Sequence, residues 1–422
     1  MSHAGRRRAP LVLFVVALIA RLAWVLLSGR HALAYSDDAK ADHDLAVNLV
    51  ERHQFVTVID PPHRLDVPYA TRPPLTPLAL ASVYVVFGPH LLAGQLLLSC
   101  LGAVTVVGLY LLGTELFSEF VGIAAGILAA LYPFFVFLAA VPLTENLALL
   151  LYTILALWLT KQDGAYTTKH AAFTGCLLGL AALNRPQMLG FVPFLILLAL
   201  VEREKSWTKR MSWLWVTLAC WAAVVTPWLI RNHLAVGGWF PITLQGGSAL
   251  YQGNNPYTQT ALSKLEAGAR GWYDDPRYGA ALQGLSPLDA DRVAFQLAVA
   301  FVREHPTVSL GYSVQKVKLF FGAYDHPAAR TSWYPVLGLS LLGFFSSYRR
   351  WRRLLPVHLL ISQTVVTAAV FTSMPRFRAP VEPFFLLMAA FALHHLWERR
   401  GFVGSHWLVG RHDPDSSSPG EK

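Results

Sequence analysis

The sequence predicts an all-α fold, a polytopic bundle of about ten transmembrane helices, on three observations. Of 422 residues, 54% are hydrophobic and only 14% charged, whereas a soluble domain carries about 25% charged residues. The mean hydropathy of +0.42 is gathered into long apolar runs, near the roughly 20 residues that a helix needs to cross a bilayer core. The basic residues between those runs fall on one side when each run is taken as a crossing. An ordinary soluble globule, a disordered chain and a coiled coil are excluded.

The first run, 11–28, follows Arg6, Arg7 and Arg8. A basic head before an apolar run also describes a cleaved signal peptide, with 32–34 as its cleavage site. The run exceeds the roughly 7–15 residues of a signal core. Arg21 interrupts it, and Arg30 and His31 crowd the site. It therefore reads as a retained helix with its N-terminus inside. Further apolar segments lie at 90–116, 121–141, 143–160, 170–185, 186–202, 211–230, 332–347, 354–373 and 379–397. Lys161 and Lys169 follow the fourth crossing, and Arg203, Lys205, Lys209 and Arg210 the sixth. Arg349, Arg350, Arg352 and Arg353 follow the eighth, and Arg399 and Arg400 the tenth. All share the side of the basic head, which the positive-inside preference makes cytoplasmic. The formal charge of +10 is thus topology, and no nucleic acid partner is expected. Cys100, Cys176 and Cys220 lie inside apolar runs and read as buried small hydrophobes, not as a disulfide framework or metal site.

Two long polar stretches, 30–89 and 231–330, fall outside the membrane. The chain divides into a helical module at 1–230 with its first external loop at 30–89, an external segment at 231–330, C-terminal helices at 331–400 and a cytoplasmic tail at 401–422. The tail ends in DPDSSSPGEK and reads as disordered. Within the first loop, 38–53 carries Ala41, Leu45, Leu49 and Val50 at helical spacing, an amphipathic helix. Segment 73–88 is apolar but short and contains Pro73, Pro74 and Pro77. As a crossing it would turn every later basic cluster outward, so it reads as a helix at the outer interface. In the second stretch, 287–304 is a further amphipathic helix, opened by Pro287 and closed at His305-Pro306.

Charged side chains beside lipid are costly and need a reason. Asp37, Asp38 and Asp42 stand at the start of the 38–53 helix. Asp38 and Asp42, four apart, project from one face. They suit a catalytic base or metal ligand, or else simple complementation of a helix start. Glu145 opens the fourth crossing, either as a helix-start acid with Thr144 as cap or as a second carboxylate facing a cavity. Arg185, before Pro186, is an interfacial arginine reaching for headgroups or a phosphate clamp. Arg376 and Arg378 lie outside, just before the last crossing, where positive-inside statistics disfavour them. An anionic partner explains them best. Arg72 and Arg231 are similar but single. The scattered His43, His53, His63, His90 and His233 make no metal motif, and neither a Gly-rich phosphate loop nor a GxSxG elbow occurs. Carboxylates and arginines on one outer face suit a reaction with a lipid-borne phosphate as leaving group and an acceptor hydroxyl deprotonated by a carboxylate.

The chain resembles the GT-C superfamily of polyprenyl-phosphate-sugar-dependent glycosyltransferases, and is similar to the bacterial protein-mannosyltransferase and aminoarabinose-transferase-like group. The carrying segments are SDDAKADHDLAVNLVERHQF, RPPLTPLALASVYVVFG, LYPFF with LTENLALLL, GLAALNRPQML, TPWLIRNHLAVGG with LYQGNNP, and PRFRAPVEPFF. Their order is followed over most of the chain. The resemblance implies a catalytic first external loop and an inverting transfer of a hexose or pentose from a polyprenyl-phosphate donor. The acceptor is a protein, lipid or glycan hydroxyl, or a lipid phosphate, at the outer face of the cytoplasmic membrane. The first-loop acid carries to Asp38, with Asp37 as rival, and the second outer acid to Glu145. Arg185, Arg376, Arg378 and Arg72 are the phosphate-binding candidates. Asp42 departs from the aromatic found there in many relatives and is a candidate for acceptor or metal. No cofactor is required, although the Asp37, Asp38 and Asp42 cluster would suit a divalent cation. The rival function is transport of a lipid-linked sugar, which predicts charges near the midplane and repeated halves. The sequence has its charges at one face and no internal repeat.

Overall fold

A computed structural model describes residues 3–57, 70–161, 166–201, 205–266, 284–324 and 327–409, so His63, Arg203 and positions 410–422 lie outside it. Among the described residues all regular structure is helical. The amino-terminal part holds α1 (His3–Ser28), α2 (Asp37–Arg52), α3 (Leu75–Phe87), α4 (Leu91–Leu116), α5 (Glu119–Leu131), α6 (Pro133–Leu138), α7 (Thr144–Thr160), α8 (Thr168–Asn184), α9 (Val192–Val201) and α10 (Trp207–Val236). The expected external segment holds α11 (Gly246–Gln252), α12 (Thr258–Glu266), α13 (Pro287–Glu304) and α14 (Pro306–Phe320). After it come α15 (Pro327–Ser346), α16 (Leu355–Val370) and α17 (Glu382–Val409).

Among the described residues, four helical segments are long and apolar enough to cross a membrane by themselves: Arg8–Ser28, Leu91–Leu116, Trp207–Val236 and Pro375–Arg399. Shorter apolar helices fill the gaps between them. The expected run 121–141 is broken. Pro133 holds Tyr132 in an extended conformation, as a residue before proline prefers, and α5 stops there. The carbonyls left at its end are taken by Arg21 of α1, which is buried and donates to Ala129 O and Ala130 O at 3.4 and 3.3 Å. That explains the charge inside the first apolar run. Gly102 of α4 makes room for it, since a Cβ there would lie 2.4 Å from Arg21 Nε. The expected helix at 186–202 likewise starts as a 3₁₀ turn, Pro186–Phe191, before α9.

The core is the packing of α4 against α1, α5 and α7, with the first half of α17 buried behind them. α8 packs along α10, and α15 along α17. The amphipathic helices read at 38–53 and 287–304 are α2 and α13, and the apolar segment at 73–88 is α3, packed on α2. One expectation is corrected. The described cysteines are free, but Cys100 and Cys176 are exposed on the bundle surface instead of buried inside. Helix α17 runs to Val409.

Candidate functional site

Asp37 and Asp38 open α2, and successive helix positions turn by about 100°. Asp37 therefore faces outward, with Lys40 at 3.4 Å as its partner. Asp38 and Asp42, one turn apart, face inward together. Arg72, on the segment leading into α3, lies between them. Its Nη1 is 2.6 Å from Asp38 Oδ1, and its Nη2 and Nε are 2.7 and 3.1 Å from the two oxygens of Asp42. Asp38 is also paired with Arg376, from the 3₁₀ turn Pro375–Val381. Arg376 Nε lies 4.0 Å from Glu145 at the start of α7, and Glu145 is 3.2 Å from Arg185. The order Asp42, Arg72, Asp38, Arg376, Glu145, Arg185 alternates in sign from end to end. Segments distant in sequence thus meet in one network, each charge flanked by its opposite, which is how buried charges are made tolerable.

Local sequence aims each member. α8 ends at Asn184 because Pro186 forces Arg185 into an extended conformation (φ −140°, ψ 104°), which turns the guanidinium away from the helix. Asn184 donates to Thr144 O at 2.9 Å and accepts from Thr76 at 2.8 Å, tying α8, α7 and α3 together beneath the network. Sequence reasoning passed over Asn184 and Thr76; the Asn-Arg-Pro break was the available signal. Thr144 does not cap α7 but donates to Glu145 at 3.3 Å. Phe377 packs under both Arg185 and Arg376, 5.9 and 5.8 Å from their guanidinium carbons.

The network opens on a cleft of about 590 Å³ lined by Asp38, Arg72, Glu145, Arg185 and Arg376 at one end. The rest of the lining carries no arginine; it includes Thr243, Gln245, Ser248, Gln252, Thr364 and Thr367, with Asp291 as its carboxylate. Asp38 is one-third exposed, whereas Asp42 is fully buried and Glu145 nearly so. Burial works to raise the Asp38 carboxyl, but Arg72 and Arg376 prevail and hold it well below the usual carboxylate range. Burial prevails at Asp42 and pushes it up to about 6, against the pull of Arg72. Arg376 is flanked by the carboxylates of Asp38 and Glu145. Arg376 Nε and Arg185 Nη1 are buried and make no well-aligned hydrogen bond among the described residues, although both face Glu145 Oε1, at 4.0 and 3.2 Å.

Arg378 is not part of this site. It is fully buried, bonded to Glu382 Oε1 at 2.8 Å, to Gly322 O at 2.7 Å and to Phe320 O, and its guanidinium carbon lies 3.5 Å from the centre of the Trp333 ring. In a turn of about three residues, positions 376 and 378 face different sides, so only Arg376 reaches the cleft. The acidic trio does not converge on one point either: Asp38 and Asp42 spend their oxygens on arginines and Asp37 faces Lys40. Among the described residues no group of three or more metal-ligating side chains occurs.

Residues 71–230 match the family described as dolichyl-phosphate-mannose-protein mannosyltransferase. No curated protein is similar enough to match. The fold is similar to the apo oligosaccharyltransferase of Archaeoglobus fulgidus, with TM-score 0.57 and 13% identity over 98% of this chain and 54% of that one. It is also similar to the same organism's oligosaccharyltransferase AglB in complex with an inhibitory peptide and a dolichol-phosphate (TM-score 0.56, 13% identity, 98% of this chain, 53% of that one). The chain spans about half the length of these structures, and at this identity the likeness is one of fold. The resemblance to GT-C glycosyltransferases read from the motifs therefore stands, on a family match over 71–230 and a shared fold along nearly the whole chain.

Proposed function

We propose that the protein is a membrane glycosyltransferase that moves a sugar from a polyprenyl-phosphate donor to an acceptor hydroxyl on a protein, lipid or glycan at the outer face of the cytoplasmic membrane. The observation that carries this reading is one cleft in which three arginines gather around the partly exposed carboxylate of Asp38. AglB in complex with dolichol-phosphate supports a lipid-phosphate donor. The reading takes about ten crossings, both termini inside and the 30–89 and 231–330 stretches outside; the basic clusters on the other side of the apolar runs support it.

The donor phosphate competes with the carboxylates for Arg185 and Arg376, through charge-assisted bonds that suit the guanidinium fork. In doing so it draws Arg376 away from Asp38. The carboxylate, a weak base while two guanidiniums hold it, then gains basicity toward the range useful for proton transfer. The acceptor approaches from the arginine-free end of the cleft. Its oxygen bonds to the sugar anomeric carbon, its proton passes to Asp38, and the bond from that carbon to the phosphate oxygen breaks with its electron pair on the phosphate. A single displacement of this kind inverts the anomeric centre. Arg72, fixed by Asp42, keeps Asp38 in place, and Glu145 orients Arg185.

Purified protein offered a panel of radiolabelled polyprenyl-phosphate sugars is expected to move label from one class to a membrane extract. Asp38→Asn is expected to fold and insert normally yet lose on the order of 10²–10⁴-fold in transfer, the usual worth of a general base. Full activity in that variant removes the assigned base. Movement of the lipid without covalent change would instead favour a transporter.

A further inference from the structure

Lys316 of α14 is fully buried. Its ammonium donates to Gly253 O at 3.1 Å, Val370 O at 3.1 Å and Phe371 O at 2.9 Å. Three donors thus meet three carbonyl acceptors, and burial alone lowers its pKa, to about 7. Two of those carbonyls are at the C-terminal end of α16, where backbone acceptors have no partner within the helix and the helix dipole favours a cation. The same end is bonded by two more side chains of the external segment. Asn254 donates to Val370 O at 2.8 Å, and Ser313 to Ala369 O at 2.9 Å. The approach is very close: a Cβ on Gly253 would lie 1.8 Å from Phe371 O.

What is joined here is the arginine-free wall of the cleft. Gln252 and Ser248, beside Gly253, face it from α11, and Thr364, Thr367 and Phe371 face it from α16. We propose that Lys316 is a positioning residue that caps α16 from outside and thereby fixes the acceptor end of the cleft, without touching substrate itself. Its bonds end on Gly253, Val370 and Phe371, outside the segments that carry Arg72 and Arg185, whereas Arg376 follows Phe371 by only five residues, so the acceptor end is held directly and the donor end at most through Arg376. The assignment of that half to the acceptor rests on the transferase reading above; the fastening does not.

The test has two separable parts. Hydrogen exchange on the apoprotein is expected to show amides of 250–256 and 368–373 losing at least tenfold in protection in Lys316→Met, with those of α7 and α8 unchanged. Transfer kinetics with the donor found above are expected to show the acceptor KM raised at least tenfold and the donor KM changed less than twofold. Lys316→Arg, which keeps charge and donors, is expected to recover part of the loss. Unchanged local exchange overturns the fastening whatever the enzyme does. Lost protection with an unchanged acceptor KM, or with both KM values raised equally, overturns the positioning role. Lost protection in a protein without transferase activity leaves the fastening and overturns the transferase reading. Should Lys316→Met fail to fold, Lys316→Gln is measured to the same criteria.

Discussion

Asp38 and Asp42 sit one helical turn apart and meet opposite fates. Asp38 borders the cleft and is held ionised by two arginines, whereas Asp42 has no solvent contact and its carboxyl is pushed up to about 6. As pH falls through about 6, Asp42 takes up a proton and loosens its double bond to Arg72. An acid limb near pH 6 in transfer is therefore expected, and it should be absent from Asp42→Asn in a pH profile. Folding moves the other way. A carboxyl raised above its ordinary 3.8 is protonated in the folded state before the unfolded chain, so this group adds stability between about 6 and 3.8 as pH falls. The arginines also divide by role. Arg185→Lys and Arg376→Lys keep the charge but lose the fork; each is expected to raise the donor KM about tenfold, about 1.4 kcal/mol, with normal expression. Arg378→Met would leave Glu382 buried and unpaired, a loss of about 3–5 kcal/mol, visible in thermal unfolding as lost stability and not as weaker donor binding.

At the scale of elements, prolines shape the site. Pro186 ends α8 and turns Arg185 toward the cleft. Pro186→Ala lets the helix run on, so donor affinity is expected to fall about tenfold in a direct binding assay with little change in unfolding temperature. The amphipathic helices α2 and α13 were legible because their apolar residues repeat at helical spacing and their ends carry Asp, Pro and His-Pro signals. Arg185 and Glu145 were legible as charges out of place at helix ends. The pairing was not. Whether Arg376 or Arg378 reaches the cleft depends on the 3₁₀ turn at 375–381, and hydropathy carries no trace of that turn. Arg21 looked like an interruption of a span because the carbonyls it bonds are more than 100 residues away. Lys316 stood out even less, since its partners are backbone atoms, which leave no mark in a sequence.

At the scale of the whole molecule, helix α2, the segment before α3, the start of α7, the end of α8 and the turn at 375–381 have to meet at one point, which only the folded bundle achieves. In the proposed function the membrane supplies the donor from the side, and α11 and α13 flank the end of the cleft assigned to the acceptor. The central claim, that these arginines hold a lipid phosphate while Asp38 serves the chemistry, is tested most directly by the binding of a sugar-free polyprenyl phosphate to purified wild type, Asp38→Asn and an Arg185→Met/Arg376→Met double variant. Binding is predicted to be at least as tight in Asp38→Asn as in wild type, because the substitution removes the carboxylate that competes for Arg376. The double variant is predicted to bind at least 100-fold more weakly. Equal affinity in all three proteins would contradict the account.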